Sequence, residues 1–564
     1  MCRTISIGAQ SFEKLRTLDC FYIDKTAFIK EWWEAKDEIT LITRPRRFGK
    51  TLNMNMLECF FSNRYAARGE LFEGLSIWKE ENYRQLQGTY PVISLSFAGI
   101  KRKGYRPALY QIKAVIADLY EQYRFLANWE GLSINEQKHF ASMQRGMPDD
   151  DVADSLRCLC RYLSRYYGKN VIILLDEYDT PVQEAWLGGY WAEFTDLLRS
   201  FFNNTFKTNP YLERAVMTGI TRVSRESIFS DMNNMKVVTT TGDLYADRFG
   251  FTEKEVFAAL DEMGMSAEKE KVKAWYDGFT FGSHTDIYNP WSITNFLEEK
   301  KYRTWWADTS SNGLADQLIR TGSPELKQDM EILLCGGSIE VKIDEQIVFD
   351  RLQDNDEAVW SLLLASGYLK ISDRNIDENY AEDTCLLSVT NLETRRMFEK
   401  MLASWLKSTG APGNAFIRSL LSGELRAMNA YMNDIAAGTF SYYDVGNGDP
   451  HAVRPERFYH GFVLGLLADL RDKYELRSNR ESGYGRYDVM LIPKRSNDPA
   501  CPAIVMEFKT LGSDDEKTLR ETVDMAKKQI EDKNYDAELL ARGIRPEFIR
   551  HYGFAFAGKT VLIG

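Results

Sequence analysis

The sequence predicts a multidomain α/β protein: a mostly parallel sheet with helices on both faces, a helical middle region, and a smaller α/β domain at the C-terminal side. Three observations predict it. The chain has 564 residues, enough for about three or four domains at ~150 residues each. Through the first 250 residues, short apolar runs alternate with helical patterns, as strands joined by crossover helices do. After Asn447-Gly-Asp-Pro450 a shorter cycle of helix, two strands, helix and strand follows. The expected division is 1–250, 251–450 and 451–564.

Taken in order, Glu38–Thr43, Pro91–Phe97, Val171–Asp176 and Ala215–Gly219 are apolar, short and bounded by polar or turn residues, and read as buried strands. Thr51–Ser62, Tyr110–Phe125 and Trp191–Asn203 carry helical periodicity between them. Residues 251–450 are mainly helical in pattern and poor in strand signals. Then come a helix (Glu456–Lys473), strands at Arg486–Ile492 and Ala503–Lys509, a helix (Glu516–Lys533) and a strand at Gly553–Ala557. No long-period repeat or low-complexity tract interrupts this order.

Hydrophobic residues at 44% and charged residues at 27% fit an ordinary globular chain and exclude wholesale disorder and collagen-like repeats. No apolar run approaches the ~18 residues of a membrane helix. The first residues lack the apolar core of a secretory signal. Eight cysteines without a CxxC pair suggest neither a disulfide framework nor a zinc site, and His284 and His451 lack metal-ligand spacing. The expectation is a cytoplasmic protein with no membrane partner. A net charge of −11 disfavours nucleic acid at first sight. Residues 452–564, however, carry 19 Lys+Arg and 18 Asp+Glu, so the acidity belongs to the first 451.

The pattern G-x-x-x-x-G-K-[ST] occurs literally once, at Gly553–Thr560. A phosphate loop needs a following helix whose N-terminus faces the phosphates, and only Val561-Leu-Ile-Gly564 follows. This stretch reads as a strand ending in a turn. Arg44-Pro-Arg-Arg-Phe-Gly49-Lys50-Thr51 departs from the pattern at its first position but lies between a strand and an amphipathic helix. There Lys50 would reach the β- and γ-phosphates and Thr51 would hold Mg²⁺. Arg44, Arg46 and Arg47 would add positive charge, with Arg44 standing where a turn-forming glycine is usual. Val171–Asp176 ends in Asp176-Glu177, at the end of a parallel strand where α/β sheets bind ligands. Asp176 would ligate Mg²⁺ through water and Glu177 would polarise the attacking water. Thr218 or Thr221 would sense the γ-phosphate, and Arg222 or Arg225 would neutralise transition-state charge.

Farther on, Asp488 lies on one strand and Glu507-Phe-Lys509 on the next. Period-2 geometry puts Glu507 and Lys509 on one face, and a hairpin would bring Asp488 beside them. Two carboxylates and a lysine suit a metal nuclease: Asp488 and Glu507 bind Mg²⁺ or Mn²⁺, and Lys509 orients or deprotonates the water. Glu481 and His460 lie upstream, Gln529 and Tyr535 downstream. The aromatic residues around 275–306 read as packing, and Lys527, Lys528, Arg542, Arg545 and Arg550 as solvated charge.

With these residues in view, the chain resembles the bacterial and archaeal AAA-ATPase-like proteins that carry a C-terminal PD-(D/E)XK nuclease-superfamily domain. The matching pieces include Phe21–Thr26, Arg44–Thr51, Leu175–Pro181, Thr218–Asn234, Trp275–Phe279, Tyr288–Ser292, Tyr459–Gly461, Gly485–Asp488 and Glu507–Lys509. The resemblance covers essentially the whole chain, and Arg44 in the phosphate loop resembles the family's own usage. It implies a P-loop ATPase of the ASCE type fused to a restriction-endonuclease-like fold. It also implies nuclease positions at Asp488, Glu507 and Lys509, with Gln529 and Tyr535 on a trailing motif spaced more widely than in some nuclease branches. The expected function is ATP binding, with hydrolysis, coupled to metal-dependent cleavage of DNA phosphodiesters, RNA being the other candidate. An arginine supplied by a neighbouring copy would make the protein a homo-oligomer. The alternative is a nucleotide-dependent switch whose nuclease-like domain binds nucleic acid or a partner without cutting.

Overall fold

The computed structural model describes the chain apart from residues 1–2, 223–227, 230–231, 310–312, 335, 345–351, 353–354, 378–381, 409–412, 440–462, 464–466, 468–469, 471–472, 483–484, 496, 500, 512–517 and 558–559. Two compact units emerge: one of residues 1–315 and 340–394, the other of 316–339 and 395–564.

In the first unit, β1 (Ile39–Thr43), β2 (Val92–Ser96), β3 (Val171–Asp176), β4 (Leu212–Gly219) and β5 (Met235–Val238) form a sheet in the order β2-β3-β4-β1-β5. Every pair in it is parallel. β1 and β3 are buried at every position, which is why they read as uninterrupted apolar runs. Inserting β4 between them places the ends of β1, β3 and β4 side by side, the arrangement expected of an ASCE-type sheet. The helix Lys50–Phe61 packs on β2 and β3. Its Met54, Met56, Leu57, Phe60 and Phe61 join Ile42, Ile172, Leu174 and Val216 in one core, each fully buried aliphatic or aromatic side chain contributing about 1.5–3 kcal/mol.

Among the described residues of 251–450, helices are accompanied by two small sheets. β6 (Phe251–Thr252), β7 (Phe279–Phe281) and β8 (His284–Tyr288) pair antiparallel in the order β6-β8-β7. β9 (Ile339–Lys342), β10 (Leu369–Asp377) and β11 (Glu382–Val389) take the order β10-β11-β9. The helix Pro290–Glu299 follows β8; Asn289 caps it by accepting from the N–H groups of Trp291 and Ser292.

Glu393 braces this region from inside. It is wholly buried, accepts from Ser292 Oγ at 2.7 Å, and accepts the Trp306 N–H at 2.6 Å. Burial pushes its pKa from the ordinary 4.5 up to about 7, against the pull of those donors. A carboxyl whose pKa rises on folding contributes stability that is complete below 4.5 and lost as the pH climbs through about 7. Glu393→Gln keeps the shape and stays neutral, so it is expected to raise the melting temperature at pH 8 and change it little near pH 5. Linkage bounds the gain at about 3 kcal/mol. Thermal melts at both pH values check this, and an equal shift at each would contradict it.

The second unit is built on β12 (Tyr474–Ser482), β13 (Gly485–Pro493), β14 (Ala503–Thr510), β15 (Ile549–Ala557) and β16 (Thr560–Ile563), hydrogen-bonded in that order. Only the β14–β15 pair is parallel. Ile504, Met506 and Phe508 pack on one side with Phe416, Leu420 and Met428 of the helical segments before the sheet. Ala503 and Val505 pack on the other with Ile530 and Tyr535. The literal phosphate-loop pattern falls here: Gly553 to Ala557 belong to β15, and β16, which begins at Thr560, runs back antiparallel to it. It is a strand, as its apolar composition predicted; Gly558 and Lys559 lie outside the described residues.

Candidate functional site

β1 ends at Thr43 and the chain turns through residues 44–49 into the helix Lys50–Phe61. The turn draws its left-handed backbone from Arg47 (φ 66°) and Gly49 (φ 79°), not from Arg44. An arginine therefore fits the first position without strain. Arg44, expected beside the phosphates, instead points into the protein. Its side chain is fully buried and donates to the carbonyls of Thr43 (2.9 Å), Thr239 (2.7 Å) and Leu244 (3.1 Å). The Phe281 ring lies 4.7 Å beneath it. Desolvation pulls its pKa down to about 9. Arg44 anchors the loop to the backbone at Thr43, Thr239 and Leu244. The loop is also braced from outside: Phe48 O accepts from Gly250 N–H, and Arg46 O accepts from Asn289 Nδ2 at 3.2 Å.

Lys50 is buried, and its ammonium donates to the carbonyls of Arg44 at 2.9 Å and Pro45 at 2.8 Å. Burial lowers its pKa, while the nearby Glu177 and Asp176 carboxylates oppose the shift. Thr51 Oγ1 donates to Asp176 Oδ2 at 2.6 Å, and Thr218 Oγ1 donates to Asp176 Oδ1. Both oxygens of the acid at the end of β3 are thus held by hydroxyls from the ends of two neighbouring segments. Burial raises the Asp176 pKa against those two bonds. Glu177 takes a left-handed φ of 52°, an uncommon backbone for a glutamate and one that gathers at functional sites. Thr180 Oγ1 donates to its carboxylate at 3.0 Å.

These groups face a cavity of about 430 Å³, lined among others by Arg46, Arg47, Gly49, Lys50, Thr51 and Glu177. Asp176 and Thr218 lie just behind it, reaching it through Thr51. Arg222 does not join them; it lines a separate small cavity with Thr43, Thr239 and Asp344. Arg225 lies outside the described residues.

Two further residues have a place that sequence reasoning left without a role. Asp179 is buried and its Oδ2 accepts from the N–H groups of Ile220 and Thr221, both at 2.9 Å, tying the acid-bearing turn to the end of β4. Its signal was the third acid in Asp176-Glu-Tyr-Asp179. Trp291, read as packing, lines the cavity, with the Arg47 guanidinium 4.0 Å over its ring.

In the second unit, Asp488 stands one residue beyond the Val489–Met506 pair, and its Oδ2 accepts the Phe508 N–H at 2.8 Å. Strand parity puts Asp488, Glu507 and Lys509 on the face that packs against the helix Leu519–Asp532. Glu507 is only 4% exposed. Gln529, on that helix, donates to Glu507 Oε1 and lies 3.1 Å from the Tyr535 hydroxyl. Gly553 of β15 sits opposite Glu507. A side chain there would meet Val523 O at 2.7 Å, so glycine admits the helix close enough for Gln529 to reach. Two carboxylates side by side on a buried face favour a cation between them, and oxygen donors suit Mg²⁺ or Mn²⁺. His460 lies outside the described residues, and Glu481 falls on β12.

Elsewhere among the described residues, Glu253, Asp277 and Asp286 converge. Lys273 already bridges Glu253 and Asp286, so this group supplies its own cation.

A parallel sheet of this order, with a Lys-Thr loop after β1 and an acid pair at the end of β3, is that of a P-loop fold; the mixed sheet is consistent with a PD-(D/E)XK one. Residues 6–229 match the family model described as a predicted AAA-ATPase, and residues 454–564 match that of the PD-(D/E)XK nuclease superfamily. The chain is also similar to a protein of Azotobacter chroococcum mcd 1, printed as "Uncharacterized protein in vnfD 5'region". The two are 25% identical over 555 residues, spanning 96% of this chain and 94% of the relative.

Proposed function

We propose that the protein binds ATP at Gly49–Thr51, hydrolyses it, and couples that cycle to metal-dependent cleavage of DNA phosphodiesters at Asp488, Glu507 and Lys509. The observation that carries the reading is the Thr51–Asp176 hydrogen bond at 2.6 Å. It joins the hydroxyl and the carboxylate that hold Mg²⁺ in phosphoryl-transfer sites.

In this reading Lys50 exchanges the carbonyls of Arg44 and Pro45 for phosphate oxygens. Thr51 and Asp176 would hold Mg²⁺, which supplies charge to offset that of the phosphates. Glu177 orients a water for in-line attack on the γ-phosphorus and takes its proton as the bond to the β-phosphate oxygen breaks. At the second site Asp488 and Glu507 would hold Mg²⁺ or Mn²⁺, which supplies Lewis acidity at the scissile phosphate. Lys509 orients the attacking water or removes its proton, and Gln529 fixes the Glu507 carboxylate.

The test is cleavage of supercoiled plasmid by the full chain with Mg²⁺ or Mn²⁺, with and without ATP, comparing wild type, Lys50→Ala and Lys509→Ala. Wild-type cleavage that both substitutions reduce supports the reading. Absence of wild-type cleavage under every condition rejects the nuclease half, and ATP-dependent DNA retention without cutting would favour the switch alternative.

A further inference from the structure

The cavity beside Lys50 is larger and more aromatic than phosphates alone require. Its volume of about 430 Å³ lies within the ~300–1,000 Å³ typical of pockets that enclose a whole small molecule. Gly49, Lys50 and Thr51 line it together with charged groups such as Lys25, Arg46 and Arg47, and Phe21, Phe251 and Trp291 add aromatic walls. Phosphate oxygens gain nothing from such walls, but a nucleobase does. Phe251 and Trp291 lie beyond the matched ATPase region, which ends at 229.

Trp291 is fixed on several sides. Arg47 covers its ring, and Gly8 approaches so closely that an added Cβ would stand 3.3 Å from Cζ3. Asn289, two residues before it, donates to Arg46 O in the phosphate loop. Among the described residues, the buried indole N–H of Trp291 has no hydrogen-bond partner. A buried donor without a partner costs about 1–3 kcal/mol, and protein atoms cover this one, so an acceptor reaches it only when its cover shifts.

We propose that the aromatic part of this cavity, with Trp291 as its key wall, receives the base and ribose of the nucleotide whose phosphates Gly49–Thr51 hold. The proposal rests on the nucleotide reading above and makes Trp291 a specificity residue, separating a nucleoside triphosphate from a bare polyphosphate. Calorimetric titration of the full chain with MgATP and with magnesium tripolyphosphate tests it. Wild type is expected to bind ATP at least about tenfold more tightly than tripolyphosphate. Trp291→Ala is expected to remove most of that difference by weakening ATP alone. Equal wild-type affinities would overturn the proposal, and so would a variant that weakens both ligands by the same factor. If the alanine variant does not fold, Trp291→Leu, which keeps apolar bulk but removes the ring, makes the same comparison, and an unchanged preference for ATP would overturn the proposal. Binding of neither ligand is a different result: it rejects the nucleotide reading and this inference with it.

Discussion

Replacing Lys50 by alanine is expected to weaken MgATP binding by roughly 100-fold or more. The ammonium makes two hydrogen bonds, to Arg44 O and Pro45 O, inside a buried loop, and phosphate oxygens would take the place of those carbonyls. Hydrogen bonds to a charged group contribute about 1.5–3 kcal/mol each, and two of them account for at least that factor. The substitution also leaves two loop carbonyls without their donor, so circular dichroism must accompany titration calorimetry. A folded variant that binds MgATP as tightly as wild type would reject Lys50 as the phosphate ligand. Arg44→Ala provides the contrast. Its guanidinium is spent on three backbone carbonyls, so its loss is expected to lower thermal stability first and nucleotide affinity only as a result.

The second large effect concerns the nuclease-type site. Lys509→Ala is expected to slow DNA cleavage by about 10²–10⁴-fold, the range associated with losing a positioned proton-transfer group, while Mn²⁺ binding persists. Glu507→Gln is expected to abolish both cleavage and Mn²⁺ binding, since it removes charge from the acid that Gln529 orients. Plasmid nicking and metal titration on both variants separate the two roles. If Lys509→Ala cut at the wild-type rate, the lysine would have no part in the chemistry.

Much of this architecture was legible in the chain. β1, β3 and β4 lie where apolar runs bounded by polar residues placed them, because a strand buried on both faces has no alternation to obscure it. The turn at residues 44–51 was found through its neighbours, strand before and helix after, rather than through pattern identity. What stayed hidden depends on distant parts of the sequence. The acceptors of Arg44 include Thr239 and Leu244, far along the chain, so its inward orientation has no local signature. β6 and β7 have two and three residues, too few for period-2 alternation to register. β10 and β11 are longer but rich in charge, and their pairing carries a register shift. Trp291 was ambiguous for another reason: an aromatic residue in a helix has the same pattern whether it lines a cavity or fills a core.

The chain passes from one compact unit to the other three times, at 315/316, 339/340 and 394/395. Neither unit is a continuous stretch of sequence. Cutting at one point would therefore strip one unit of a segment or load it with a foreign one: residues 395–564 alone lack 316–339. During synthesis the first unit cannot be complete until residues 340–394 have emerged, after part of the second has already been made. Recombination that exchanged the second unit between relatives would need matched breakpoints at all three crossings. An exchange with three matched breakpoints is a more demanding event than transfer of the whole chain.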